Sequence, residues 1–414
     1  MKRCIALVLI LFFLATPTIS NAEVSIVISS HERQMPIAIS DFSGTHGKEL
    51  SDVIADDLRY TGLFLVLEKD AFIEKPEQAF RRENWSVIQA DVVLKGNVEV
   101  GENISVNISL YDVSDGTEIL IKKYEAGSAL LRQIGHSIAN DIYMKITGNA
   151  GVFRTKIAFI VRGDSGKELY LMDWDGQRIK RLGFIAPVIV SPRWSRDGLG
   201  LLYSAQRDGR WGIYILTLSE AKERLIHSSK AMLMAGDITG NEIIFSSSQK
   251  GTPDIYLYEI TRNETRNLTS MRGIEVSPSF SPDAETIAFV SDMGGSPQVY
   301  TMDKNGYNIN RVTFEGSYNT SPSWSPSGDK IAFVGEYKGK NQIFLVSPNG
   351  FDQKRLTEHG NNEDPSFSPD GRFITFTSDR DGEKTIYIMR ADGEEQKRIT
   401  PKGLKASGPR WSPN

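Results

Sequence analysis

An α/β N-terminal domain followed by an all-β six-bladed β-propeller is the fold class this sequence predicts, on three observations. A short motif recurs at a fixed period through the C-terminal part of the chain. Residues 23–150 lack that period and combine helical with alternating apolar spacing. The two ends of the repeat region are incomplete in complementary ways. The 414 residues are 40% apolar and 24% charged, enough apolar side chain to bury real cores.

Targeting residues come first in the chain. Lys2 and Arg3 precede an unbroken apolar run from Ile5 to Ala15, and Ser20-Asn21-Ala22 places small residues where a signal peptidase cuts. This predicts a signal peptide over residues 1–22. The run of 11 residues is well short of the roughly 20 that span a bilayer. Cys4, the single cysteine, lies inside this segment, so a chain cleaved after Ala22 has none. That excludes disulfides, thiolate catalysis and Cys-ligated zinc together.

Residues 23–150 read as a small α/β domain. Pro36 to Phe42 predicts a strand, and Leu50, Val53, Ile54 and Leu58 recur at helical spacing. Strands are expected over Leu63 to Leu67, Val92 to Val100, Val106 to Val113 and Glu118 to Tyr124. A last helix carries Leu130, Ile134, Ile138, Ile142 and Ile146 at i, i+4 spacing, and Gly148 is its stop. The short junction near Ala150 predicts that this domain packs against the next, residues 151–414.

The repeat begins with Ser191-Pro192-Arg193-Trp194-Ser195-Arg196-Asp197-Gly198 and returns around Phe280, Trp324, Phe367 and Trp411. The gaps between these aromatics are 86, 44, 43 and 44 residues, so one degenerate copy is expected to centre on Asp237. Each period then holds an apolar triplet such as Ile287-Ala288-Phe289, a strand such as Ile343-Phe344-Leu345, and an ending such as Arg355-Leu356-Thr357. Four short strands per period of about 43 residues are the signature of a propeller blade. The first copy, at Ile157-Ala158-Phe159, lacks the aromatic strand, and the C-terminus has only that strand. Six blades result if the two fragments pair, and pairing removes two exposed sheet edges.

No motif in the sequence assembles a catalytic site. Gly163-Asp164-Ser165-Gly166-Lys167 fails as a nucleophile elbow at its fifth position, and Gly44-Thr45-His46-Gly47-Lys48 lacks phosphate-loop spacing. His31, His46, His136, His227 and His359 are scattered, with no zinc pair. His136 reads as structural or surface. Asp197, Asp283 and Asp370 read as turn residues and not as a ring of carboxylates, because Ser-Pro-Asp-Gly is a tight-turn sequence. The repeated aromatics read as inter-blade packing. No catalytic residue, cofactor or metal ligand is predicted. With 48 basic against 52 acidic side chains, a net charge of −4 argues against nucleic acid. The sign is uneven, with 12 basic and 20 acidic residues over 23–150 against 34 and 32 over 151–414.

These features together resemble the TolB family. The resemblance is carried by the signal peptide, the Pro36-Ile37-Ala38-Ile39 strand, Ala139-Asn140-Asp141-Ile142-Tyr143 followed by Ile146-Thr147-Gly148, Thr155-Lys156-Ile157-Ala158-Phe159, and the Ser-Pro-x-aromatic-Ser-Pro-Asp-Gly repeats. It covers the chain after Ala22, and one departure is the third blade, where Met234-Ala235-Gly236-Asp237 stands in place of the motif. The resemblance implies a monomeric, non-enzymatic periplasmic adaptor of the Tol-Pal system that supports outer-membrane integrity and envelope constriction in cell division. It implies binding of the peptidoglycan-associated lipoprotein at one propeller mouth, hence peripheral association with the outer membrane, and of TolA through the mature N-terminal segment.

Candidate contacts follow. Loops joining one blade's last strand to the next blade's first surround the axis, over residues 231–236, 271–277, 315–320 and 358–364. They offer Met232, Met234, Val276 and Tyr318 as apolar contacts, and Glu275, Asn319, Asn362 and Glu363 as polar ones. In the N-terminal arm, Glu23, Val24, Ile26 and Ile28 belong to an alternating stretch suited to strand addition, the alternative being an ordinary edge strand. A second function class is a propeller that binds a peptide or saccharide in its central funnel, which requires a few convergent aromatics in a pocket.

Overall fold

The computed structural model describes residues 34–414. The predicted signal peptide and the arm at Glu23, Val24, Ile26 and Ile28 lie outside the described residues. The N-terminal sheet is built from β1 (Met35–Ile39), β2 (Phe64–Val66), β3 (Val92–Val100), β4 (Ile104–Asp112) and β5 (Glu118–Ala126). Its order is β2-β1-β3-β4-β5, parallel where β1 meets β2 and β3 and antiparallel beyond. Helices α1 (Gly47–Tyr60) and α3 (Leu131–Thr147) bury Leu50, Ile54 and Leu58, and Ile134, Ile138 and Ile142, in one core with Ile37, Ile39 and Leu94. Leu130 precedes α3 and is 42% exposed, so the buried stripe starts at Leu131 instead. The alternate sheet residues Ala38 and Val93 bury against Trp85 of a short helix, α2 (Arg82–Ser86), which the sequence pattern did not disclose. Five residues are too few to show a period.

Six four-stranded sheets follow. Blade 1 takes its innermost strand, Ala406–Trp411, from the C-terminus and pairs it antiparallel with Lys156–Gly163, Trp411 facing Ile157 across the ladder. Chain closure is therefore a property of the fold. The innermost strands of blades 2 to 6 are Val188–Trp194, Leu233–Thr239, Glu275–Phe280, Asn319–Trp324 and Asn362–Phe367. Each turn at the end of an intact motif closes as its residues dictate. The carboxylate of Asp197 accepts from the Leu199 N–H at 2.9 Å, that of Asp283 from Glu285 at 3.1 Å and that of Asp370 from Arg372 at 3.1 Å.

The degenerate copy differs by one residue from expectation. Ile238 pairs with Ile243 as Phe280 pairs with Ile287 and Trp194 with Leu201, so Ile238, and not Asp237, takes the aromatic's place. The cause is the turn: Thr239 pairs with Glu242, leaving a loop of Gly240 and Asn241 at positive φ for the glycine, shorter than the Ser-Pro-Asp-Gly turns. Arg196 of blade 2 reaches across this shortened turn to blade 4, its guanidinium donating to the carbonyls of Ser281 and Pro282.

The two domains share one continuous core. Tyr60 at the end of α1 stacks on Phe373 of blade 6 with ring centroids 5.3 Å apart and lies 5.7 Å from Trp174 of blade 1. Phe153 packs edge-on to Trp174 at 5.5 Å. Arg132 of α3 forms an ion pair with Asp175 of blade 1, and the Tyr60 hydroxyl donates to the Glu395 carbonyl of blade 6 at 3.1 Å.

Candidate functional site

In an antiparallel blade, successive connections alternate between the two ends of the strands. The loops between blades share one mouth with the turns joining second and third strands, and the remaining turns form the other. The N-terminal domain packs on Trp174, Asp175 and Glu395, which lie in turns joining third and fourth strands, and on Phe373, which follows the first turn of blade 6. It therefore occupies part of the second mouth. The mouth formed by the inter-blade loops points away from it.

At that free mouth the structure divides the predicted residues. Tyr318 is 42% exposed, and Met232, Met234, Val276 and Glu363 are half-buried. Glu363 is held by Lys384, whose Nζ lies 2.5 Å from its carboxylate. Ile274 and Met293 on loops and Tyr337 at a strand end, not singled out from sequence, are 45%, 40% and 40% exposed at the same mouth in blades 4 and 5. Only their exposure identifies them, and the repeat does not encode it.

Glu275, Asn319 and Asn362 are buried, which corrects their assignment as contact surface. They open the inner strands of blades 4, 5 and 6 and seal each blade to the one before. The Asn319 amide donates to Gln298 Oε1 at 2.8 Å and to the Glu315 carbonyl at 2.8 Å, and Gln298 Oε1 also accepts from the Thr313 hydroxyl at 2.7 Å. One blade on, Asn362, Gln342 and Thr357 repeat the pattern at 2.9 and 2.7 Å. Between blades 3 and 4 both amides are replaced by acids, Asp254 for the glutamine and Glu275 for the asparagine. The Glu275 carboxylate accepts from the Ser291 hydroxyl at 2.9 Å through one oxygen, while the other is buried without a partner. Burial, with Asp254 and Asp292 nearby, pushes its pKa up to about 7.

The repeated aromatics do join blades. Trp194 Nε1 donates to the Arg410 carbonyl at 2.9 Å, and Trp324 Nε1 to that of Ser279 at 3.2 Å. They also line a cavity of about 400 Å³ in the tunnel, which the packing interpretation missed. His136 is buried and structural, its Nδ1 2.7 Å from the Asp57 carboxylate, whose pKa burial pushes up to about 6. No group of three or more metal-ligating side chains converges among the described residues.

Against this geometry, residues 143–414 match the family model described as the TolB beta propeller domain, and residues 24–119 the TolB amino-terminal domain. The chain is 33% identical over 293 residues to a Tol-Pal system protein TolB of Anaeromyxobacter dehalogenans, covering 67% of each chain. It is 32% identical over 288 residues to the protein so described in Desulfosudis oleivorans, covering 66% of each. The crystal structure of TolB from Acinetobacter baumannii is similar with a TM-score of 0.83 and 27% identity, over 92% of this chain and 98% of that one.

Proposed function

The chain belongs to the TolB family of non-enzymatic Tol-Pal system proteins, and from that premise we propose that it is a periplasmic adaptor whose free propeller mouth binds the peptidoglycan-associated lipoprotein. TolA binds through residues 23–28, ahead of the sheet that begins at Met35. It associates peripherally with the outer membrane through the lipoprotein, supporting membrane integrity and constriction during division.

One observation carries the mouth assignment. Four large apolar side chains, Ile274, Met293 and Tyr318 on loops and Tyr337 at a strand end, stand 40–45% exposed in blades 4 and 5, on the mouth that the described N-terminal domain leaves open. Turns of the opposite mouth expose Leu199, Tyr307 and Phe351 as well, so the assignment rests on this mouth being the one left open by the described N-terminal domain, together with aromatic and methionine side chains of the kind an interface core uses. Glu363 and its Lys384 partner supply a polar rim in blade 6.

Tyr318→Ala combined with Glu363→Arg is expected to weaken lipoprotein binding at least tenfold, about 1.4 kcal/mol, with an unchanged melting temperature. Titration calorimetry with the soluble lipoprotein domain reads this directly. Asp370→Ala, in a turn of the opposite mouth, is expected to lower stability and leave affinity intact, since that carboxylate closes its own turn. Deleting residues 23–28 is expected to abolish TolA binding and spare the lipoprotein. Lipoprotein binding that survives the first pair but fails with opposite-mouth variants would reverse the face.

A further inference from the structure

One position of the repeat forms a ring around the propeller axis. It is the residue before the central aromatic, and by strand register its six occupants are Arg410, Arg193, Asp237, Ser279, Ser323 and Ser366, from blades 1 to 6 in order. All six line the cavity of about 400 Å³, which opens between the turn prolines of the second mouth, opposite the loops assigned above to the lipoprotein. The repeat norm at this position is serine. Two neighbouring blades replace it with arginine, which places two guanidinium groups side by side in a tunnel.

Neither arginine has an ion pair among the described residues. Arg193 donates to the Pro192 carbonyl at 3.0 Å, and Arg410 to the carbonyls of Pro409 at 2.7 Å and Asp364 at 3.1 Å. These bonds engage one terminal nitrogen of each group and leave most of its five N–H donors uncommitted. The nearby carboxylates act on the two arginines through charge but make their hydrogen bonds elsewhere. Asp237 accepts from the backbone N–H groups of Ile238 at 2.8 Å and Phe280 at 3.2 Å, and Asp364 from the Thr377 hydroxyl at 3.2 Å. Burial lowers both guanidinium pKa values, with Arg410 adding to the effect on Arg193 and the two aspartates opposing it. Arginine nevertheless stays charged at neutral pH. Both side chains are only partly buried, so their uncommitted donors face the tunnel and are open to an anion that enters it.

We propose that the tunnel binds a small oxyanion, a carboxylate or phosphate, held by the Arg193 and Arg410 guanidinium groups and by the hydroxyls of Ser279 and Ser323. The planar fork of arginine matches both oxyanions with paired hydrogen bonds. Trp194 and Trp411, next in sequence to the two arginines, wall the same cavity and accommodate an apolar or ring portion of the ligand. The site is independent of the lipoprotein mouth, so either assignment stands if the other fails.

Isothermal titration of the protein from Glu23 to Asn414, in low-chloride buffer at pH 7, tests the site with inorganic phosphate and succinate as separate probes. Saturable one-site binding of at least one anion is expected, and the tighter one identifies the oxyanion class. Arg193→Gln with Arg410→Gln is expected to weaken it at least tenfold. Arg193→Lys, which keeps the charge without the fork and serves if the double variant does not fold, is expected to weaken it less. No saturable binding of either anion, or equal affinity in the variants, overturns the proposal.

Discussion

Removal of residues 406–414 is expected to lower the thermal unfolding midpoint by about 10 °C or more, because it strips the innermost strand from blade 1. Trp411 alone accounts for much of this. Its ring stacks on Phe373 of blade 6 at 6.1 Å, its Nε1 donates to the Thr155 hydroxyl at 2.7 Å, and its backbone N–H donates to the Ser366 hydroxyl at 3.1 Å. The residue thus joins the last blade, the first blade and the start of the propeller. Deleting a buried tryptophan costs about 3–5 kcal/mol, and a difference of 1 kcal/mol moves the midpoint of a domain this large by roughly 2–4 °C. The truncation also unpairs Lys156–Gly163 and exposes its edge to other chains. Because Trp411 and Phe373 belong to the core that includes α1 and α3, the N-terminal domain is expected to lose protection from proteolysis at the same time. Calorimetry, circular dichroism and limited proteolysis read the three effects. An unchanged midpoint would mean that the ring closes elsewhere.

The propeller was legible because a repeat states each local rule several times over. Trp194, Phe280, Trp324, Phe367 and Trp411 mark the phase, and the complementary fragments at residues 153–182 and 408–412 require closure. Strand pairing across more than two hundred residues, Trp411 with Ile157, followed from that phase alone. What escaped was whatever depends on side-chain neighbours and not on period. Asn319 and Asn362 look like polar loop residues in sequence, yet the blade before each supplies a glutamine and a threonine that bury them. Ile274 and Met293 look like ordinary strand-flanking apolar residues, yet the loops leave them outside. Trp85 had no periodic neighbours to announce its core. The arginines at 193 and 410 were visible as departures from serine, but only the register shows that both face one tunnel.

The same repeat logic predicts that Glu275→Gln stabilises the protein at pH 8 by up to about 3 kcal/mol and makes no difference near pH 4.5. In blades 5 and 6 this position donates an amide N–H to a glutamine oxygen, whereas Glu275 brings a carboxyl beside Asp254 with one oxygen buried and unbonded. Its folded pKa, pushed up to about 7, lies above the ordinary value of 4.5, so the folded state holds this proton more tightly than the unfolded chain. The stability it lends is therefore complete below pH 4.5 and is lost as pH rises through 7, at about 1.4 kcal/mol per pH unit. A glutamine keeps the acceptor for Ser291 and adds a donor for Asp254 without ionising, so urea unfolding of the variant is expected to lose that slope. Wild type more stable than the variant at pH 8 would show that the charged form has a favourable partner. Since Glu275 is buried, its backbone N–H bonded to the Pro253 carbonyl of blade 3 and its carboxyl to Ser291 of its own blade, lipoprotein affinity is expected to be the same in both proteins at pH 6, which separates the effect of this carboxyl on stability from the contact surface beside it.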